Sequence, residues 1–249
     1  MPLLIVDLVI PARNEQDNIA ALLCAIPAGV FRHIVLVDNG STDRTAELAR
    51  AGGAVVVDAP APGYGAACLA GLAWLAERPT QADAVAFVDA DLADDPAALP
   101  ALTAAIAEDR ADLVIGSRPA LAEPGALTAL QRFGNRLACT LIRWTTGRRY
   151  TDLGPMRVIR WTSLGQLHMR DRTWGWTVEM QFKAAATGLR TLEVDVPYRR
   201  RHAGKSKISG TIGGSIRAGW KIITTIAILW WGHTRSAAQS TADVQAKEK

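Results

Sequence analysis

The sequence has little cysteine, little histidine, few aromatics apart from tryptophan, and no long apolar run. Three cysteines among 249 residues, Cys24, Cys68 and Cys139, stand far apart amid small or apolar neighbours. An odd count without CxxC spacing argues against a disulfide framework and a structural zinc site, and implies buried, reduced thiols in a cytosolic protein. The four histidines show no metal-ligand spacing. No stretch reaches the ~20 consecutive apolar residues of a membrane-spanning helix. The nearest, Ile222 to Gly232, is too short to cross. The opening Met1–Leu8 carries Asp7 and no basic leader, so it reads as a strand and not as a signal peptide. There is no internal repeat.

What remains is a folding composition: 49% hydrophobic, 21% charged, formal net charge +4. The excess is uneven. Residues 1–115 are acidic on balance, whereas 116–221 hold a large share of the arginines, which suggests an anionic partner for the second half. Strand-like and helix-like segments alternate at the start. Apolar runs at Leu3–Ile10, His33–Val37, Ala54–Val57, Ala84–Val88 and Leu113–Ile115 predict strands. Asn14–Ile26, a segment from Ser41 or Thr42 to Arg50, Gly65–Ala76 and Pro96–Ala107 predict helices. Short connections between them indicate βαβ units, a mostly parallel sheet with helices on both faces, and ligands beyond the C-terminal strand ends. Beyond Arg118 a long helix is expected over Gly125–Trp144, a strand over Arg190–Val196, a basic loop over Arg199–Lys207, and a helix over Thr211–Trp231. The tail from Ser236 reads as disordered, leaving one α/β domain over 1–235.

Polar residues punctuate four strand ends: Arg13-Asn14-Glu15, Asp38-Asn39-Gly40, Asp89-Ala90-Asp91 and Gly116-Ser117-Arg118. Asp89 and Asp91 leave an apolar strand into a turn. Hard oxygen ligands at that spacing suit Mg²⁺ or Mn²⁺, which take their remaining ligands from substrate phosphates and can neutralise a departing diphosphate. The same pair also suits a turn with a helix cap. Asp38 could accept hydrogen bonds from a base or ribose, while Asp43 could do so or favour a helix N-terminus. Gly63-Tyr64-Gly65 lacks the third glycine of a dinucleotide fingerprint but suits a close-approach loop near a nucleotide.

Taken in order, Ile10-Pro11-Ala12-Arg13-Asn14-Glu15, Val37-Asp38-Asn39-Gly40-Ser41-Thr42-Asp43, Gly63-Tyr64-Gly65-Ala66-Ala67, Asp89-Ala90-Asp91-Leu92 and Gly116-Ser117-Arg118 resemble family 2 glycosyltransferases of the dolichyl-phosphate mannose and glucose synthase-like branch. The resemblance continues through Thr151-Asp152-Leu153-Gly154-Pro155, Gly175–Gln181 and Arg201–Lys207, and so covers about residues 4–230. It implies a GT-A fold, an NDP-sugar donor, a divalent metal (Mg²⁺ or Mn²⁺) and inversion at the sugar carbon. Pro11, Ala12, Arg13, Glu15, Asp38, Gly40, Asp43, Gly65 and Ala90 would line the donor, with Asp89 and Asp91 on the metal. Arg118, Arg132, Arg136, Arg201, Lys205 and Lys207 would face acceptor phosphate. Asp152 and Glu179 would orient acceptor or donor sugar. Many relatives carry Gln where this chain has Ala93, so water, Asp94 or Asp95 would complete the metal shell.

A polyprenyl phosphate is the expected acceptor, a soluble one the alternative, and no nucleic acid is expected. A sugar nucleotidyltransferase would show a glycine-rich, Lys- or Arg-bearing signature after the first strand, where Pro11–Glu15 stands. A non-catalytic lipid- or nucleic-acid-binding module would need no carboxylate pair. Trp220, Trp230 and Trp231 with Arg217 and Lys221 predict peripheral contact with the inner face of the cell membrane.

Overall fold

The computed structural model describes residues 4–201 and 220–235. The strands are β1 (Val6–Ala12), β2 (Ile34–Asp38), β3 (Val55–Asp58), β4 (Ala84–Phe87), β5 (Leu113–Ser117), β6 (Arg157–Arg160) and β7 (Thr191–Asp195). The helices are α1 (Gln16–Ala25), α2 (Thr45–Ala51), α3 (Tyr64–Ala76), α4 (Leu99–Ala107), α5 (Ala129–Thr146), α6 (Trp161–Leu167) and α7 (Trp176–Ala186). A last helix, α8, covers 220–235.

The strands form one sheet in the order β3-β2-β1-β4-β6-β5-β7. Only β6 runs antiparallel to its neighbours β4 and β5. The mixed sheet is therefore mostly parallel, as the alternating pattern predicts. Its apolar strands bury both faces, which is why they read as continuous hydrophobic runs. Alternate residues serve opposite faces. Val9, Val35, Val85, Phe87 and Ile115 meet α3, α5 and α7 on one side. Leu8, Ile10, Leu36, Ala86 and Val114 meet α1 and α4 on the other. Asp7, buried inside β1, pairs with Arg32 at 2.6 Å and contacts His33 Nδ1 at 3.0 Å.

Some expectations needed correction. The second helix begins at Thr45 and is not capped by Ser41 or Thr42. Those two residues instead bond back to Asn14. The long helix starts at Ala129, where Thr128 and Gln131 form a reciprocal capping box. Upstream, Gly125 has φ +79°, a turn conformation that suits glycine and not a helix interior. β6 was not expected, because its Val158-Ile159 pair is flanked by two arginines. Arg157 is nonetheless fully buried, and its guanidinium donates to the carbonyls of Gly154 and Thr177. α6 was also missed, α7 begins at Trp176, three residues before the helix start that Glu179 offered, and Cys24, on the outer side of α1, is exposed and not buried. The expected final helix is seen from Trp220; Thr211–Gly219 and the tail lie outside the described residues.

Candidate active site

Parallel pairing aligns the ends of β1 and β2, with Ala12 opposite Asp38. The loops after them interlock. Asn14, at φ +50°, accepts from Thr42 N at 2.7 Å. Glu15 N donates to Thr45 Oγ1 at 2.8 Å, and Gln16 N donates to Asp43 at 3.2 Å. Asp38 accepts from the Ser41 backbone and hydroxyl. Asp43 takes two further bonds from Thr45, which hold its carboxyl below the usual range although burial alone would raise it. Pro11, Ala12, Arg13 and Gly40 sit on this same rim, with Gly40 at φ +75°.

Gly63-Tyr64-Gly65 follows β3 and opens α3. Asn39 fastens it by accepting from Gly63 N at 2.8 Å. A Cβ at Gly63 or Gly65 would lie 2.1 Å from Arg172 O or 2.0 Å from Asp171 O. The close approach that demands glycine is thus to the chain's own 171–173 segment.

The acidic turn follows β4. Asp89 Oδ1 is buried and has no hydrogen-bond partner. Burial first, then the charge of Asp91, pushes its carboxyl up to about 6, while the Tyr64 hydroxyl and the arginines at 118 and 201 oppose the rise. Asp91 accepts from Ala93 N at 3.0 Å and pairs with Arg201 at 2.7 Å. Asp94 is 2% exposed, and its Oδ1 is unpartnered. Burial pushes it up to about 8. Asp95 is spent on Ala97 N and Arg199. Among the described residues no three His, Cys, Asp or Glu side chains converge as a metal cage. Two carboxylates with an unpartnered buried oxygen nevertheless fit a hard divalent cation that completes its shell with phosphate and water.

Arg118 leaves β5 toward the same turn but does not present a free guanidinium. It grips Asp152 through two side-chain bonds of 2.7 and 2.9 Å, and its backbone N adds a third at 3.0 Å. Burial would lower its pKa, but the Asp152 bonds and charge raise it. Asp152 is in turn held by Glu193, which accepts from Asp152 N at 3.0 Å, and by Gln181, whose side chain donates to Asp152 O at 2.9 Å. Glu193 carried no sequence signal, since it acts from a distant element, and Gln181 closes the Gly175–Gln181 motif without having been expected to hold Asp152. Glu179 turns inward and is buried. It accepts from the backbone N–H groups of Arg170 and Asp171 and pairs with Lys183 at 2.7 Å. It therefore braces the loop beneath Gly63 and Gly65.

Next to Arg118 and Asp152 opens a cleft of about 770 Å³ along α5. Arg132, Arg136, Arg143 and Arg149 line it, and among the described residues no carboxylate pairs with any of the four. Arg201 ends the described segment, and Lys205 and Lys207 lie outside the described residues.

A sheet whose strand ends gather paired carboxylates, a polar rim and an arginine cleft suits a nucleotide-sugar transferase of mixed α/β architecture. The comparisons agree. The family model described as "Glycosyl transferase family 2" matches residues 7–187. An uncharacterized glycosyltransferase of Mycobacterium bovis is 41% identical over 226 residues, 88% of this chain and 98% of that relative. An undecaprenyl-phosphate mannosyltransferase of Micrococcus luteus is 30% identical, covering 83% of this chain and 88% of that one. Glucosyl-3-phosphoglycerate synthase from Mycobacterium tuberculosis, solved with Mn²⁺, uridine diphosphate and glucosyl-3-phosphoglycerate, superposes with a TM-score of 0.68 at 21% identity over 90% of this chain and 80% of its own. The same enzyme solved with Mg²⁺ and uridine diphosphate gives 0.71 at 19%, over 90% and 79%. At that identity the likeness shows the fold. The chain belongs to glycosyl transferase family 2. It is an enzyme that draws its sugar from a nucleotide-sugar donor, and the GT-A fold expected from its motifs is present.

Proposed function

We propose that the chain transfers a hexose, with inversion, from an NDP-sugar to a polyprenyl phosphate at a membrane surface. The observation that carries the reading is the junction of the Asp89–Asp91 turn with an arginine-lined cleft through the Arg118–Asp152 pair. Pro11, Ala12, Arg13, Glu15, Asp38, Gly40 and Asp43 form the donor rim, with Ala90 between the two acidic residues and Gly65 packed behind them. Asp89 and Asp91 hold Mg²⁺ or Mn²⁺. The ion supplies charge neutralisation for the diphosphate as it leaves.

Arg132 and Arg136 hold the acceptor phosphate, since guanidinium forks match its oxygens. Such a phosphate has a second pKa near ~6 and is largely dianionic at pH 7. Its oxygen attacks the anomeric carbon directly. A carbon–oxygen bond forms as the bond to the diphosphate breaks, and the electron pair leaves with the diphosphate. No general base is needed, which accords with the inward-turned Glu179 and with Asp152, whose role is to orient Arg118. Arg201, next to the turn, meets the diphosphate once it lets go of Asp91.

The name of the Micrococcus luteus relative supports a lipid phosphate. Among the described residues no helix is long and apolar enough to cross a membrane. Surface contact falls to α8, where Trp220, Trp230 and Trp231 are exposed. The test is a transfer screen over UDP-, GDP- and dTDP-sugars with Mg²⁺ or Mn²⁺. Long polyprenyl phosphate in vesicles is compared with short isoprenyl phosphate and phosphorylated small molecules. Transfer to isoprenyl phosphates supports the reading. Transfer only to a phosphorylated small molecule replaces it with the soluble-acceptor alternative.

A further inference from the structure

The segment Thr151-Asp152-Leu153 belongs to no strand or helix. Its backbone N–H and C=O groups therefore need partners outside a ladder. Side chains from α5, α7 and β7 supply them. Asn135, on α5, spans the segment: its Nδ2 donates to Thr151 O at 3.0 Å, and its Oδ1 accepts from Leu153 N at 2.7 Å. Glu193, on β7, accepts from Thr151 N at 2.9 Å and from Asp152 N at 3.0 Å. Gln181, on α7, donates to Asp152 O at 2.9 Å. Every polar backbone group from Thr151 N to Leu153 N is thus held by a side chain. The Thr151 hydroxyl donates to Glu193 at 2.9 Å, which leaves it to accept from Ser117 at the end of β5. Gly154 completes the fit, since a Cβ there would lie 2.0 Å from Gly116 O.

What this clamp fixes is the Asp152 carboxylate, 1% exposed, and through it the Arg118 guanidinium. The charge of Arg118 acts in turn on Asp89 and Asp94. Of the clamping side chains, Asn135 stands on the helix of the cleft arginines, between Arg132 and Arg136. An amide carries its donor and acceptor in one rigid plane, so two bonds to one short segment admit a single placement of that segment against the helix. We propose that Asn135 is a positioning residue that sets α5 against the Asp152–Arg118 pair, and with it the distance from the cleft to the acidic turn. It acts through Asp152 and not on the substrate. The inference rests on the reading of that pair as the junction of donor and acceptor sides. A misplacement of about 1 Å can cost up to ~100-fold in rate, so losing the clamp should fall on turnover and spare donor affinity.

The experiment uses the full chain, with Asn135→Ala as the variant and Leu130→Ala, at an exposed position of the same helix, as the control. Alanine is a good helix former, so α5 should persist. Amide hydrogen exchange is measured first, without substrate. Asn135→Ala should speed exchange at Leu153 N and at Arg118 N, which donates to Asp152, and leave β1 and β2 as in wild type. Turnover is then measured with a short isoprenyl phosphate and UDP-, GDP- and dTDP-hexoses. In Asn135→Ala kcat should fall ~10- to 100-fold, while calorimetric affinity for UDP, GDP or dTDP with Mn²⁺ stays within about twofold. Leu130→Ala should match wild type in both measurements. Asn135→Asp keeps the shape and the acceptor but not the donor. It should protect Leu153 N and retain more turnover than Asn135→Ala. It carries the test by itself if the alanine variant does not fold, and should then turn over more slowly than wild type at unchanged donor affinity. Unchanged exchange at Arg118 N, unchanged kcat, or equal losses of kcat and donor affinity overturns the proposal. If exchange loosens as expected while wild type transfers to no isoprenyl phosphate, the clamp stands and the polyprenyl-phosphate reading fails.

Discussion

Removing Arg201 should tighten the binding of metal. Arg201 Nη2 lies 2.7 Å from Asp91 Oδ2, and Nη1 lies 3.8 Å from Glu15 Oε1. The guanidinium thus sits on a carboxylate that the proposed ion needs, and metal has to displace it. The Asp91 side chain is 8% exposed and that of Arg201 32%. Contact attraction in such a setting is large in gross terms, but desolvation and solvent screening on the arginine side reduce the net to about 1 kcal/mol. Releasing Asp91 should therefore raise affinity for Mn²⁺ alone about fivefold in Arg201→Ala, at 1.4 kcal/mol per factor of ten. Titration calorimetry of metal into donor-free protein reads this directly. Arg199→Ala is the control. It removes the same charge from Asp95, a carboxylate already engaged with Ala97 N, and should change metal affinity little. Equal or weaker Mn²⁺ binding by Arg201→Ala, or the same gain in Arg199→Ala, refutes the displacement argument.

Asp91→Ala should abolish transfer and leave the thermal transition in place, and chelation by EDTA should do the same to wild type; full activity in either case removes the metal from the site. Asp152→Ala leaves the Arg118 guanidinium buried without its partner, a loss of about 3–5 kcal/mol, and urea unfolding should show it. Arg132→Ala should lower turnover more than donor affinity, with calorimetry against kcat separating the two. Asp94 gives a pH prediction in metal-free buffer. Its folded-state carboxyl is pushed up to about 8 by burial, above an unfolded value near ~4. The native state therefore holds the proton more tightly, and this contribution to stability is whole below ~4 and falls away as pH rises toward 8. Asp94→Asn should flatten that decline and be the more stable protein at pH 8, as read by urea midpoints across the range.

The sequence by itself determined most of the sheet and the polar rim at its strand ends. Apolar runs of three to eight residues with short connections admit little except parallel strands between helices. Chemistry placed directly after a strand stays within a residue or two of that strand's end, so Asp38, Asp89, Asp91 and Arg118 were legible as one rim. The tertiary structure decided what is set by partners distant in sequence. β6 exists because a buried Arg157 finds carbonyls at Gly154 and Thr177, and no local pattern announces that. Glu179 reads as a site carboxylate, yet it is buried and spent on the backbone N–H groups of Arg170 and Asp171. Arg118 reads as a phosphate ligand, yet Asp152, 34 residues away, takes its guanidinium. Gly63 and Gly65 read as nucleotide glycines, yet it is the backbone at 171–172 that leaves no room for a Cβ. Periodicity and strand-end spacing are local quantities carried by the chain. The pairing of a buried charge depends on which distant oxygen folding brings within 3 Å, and only the packed sheet and helices fix that.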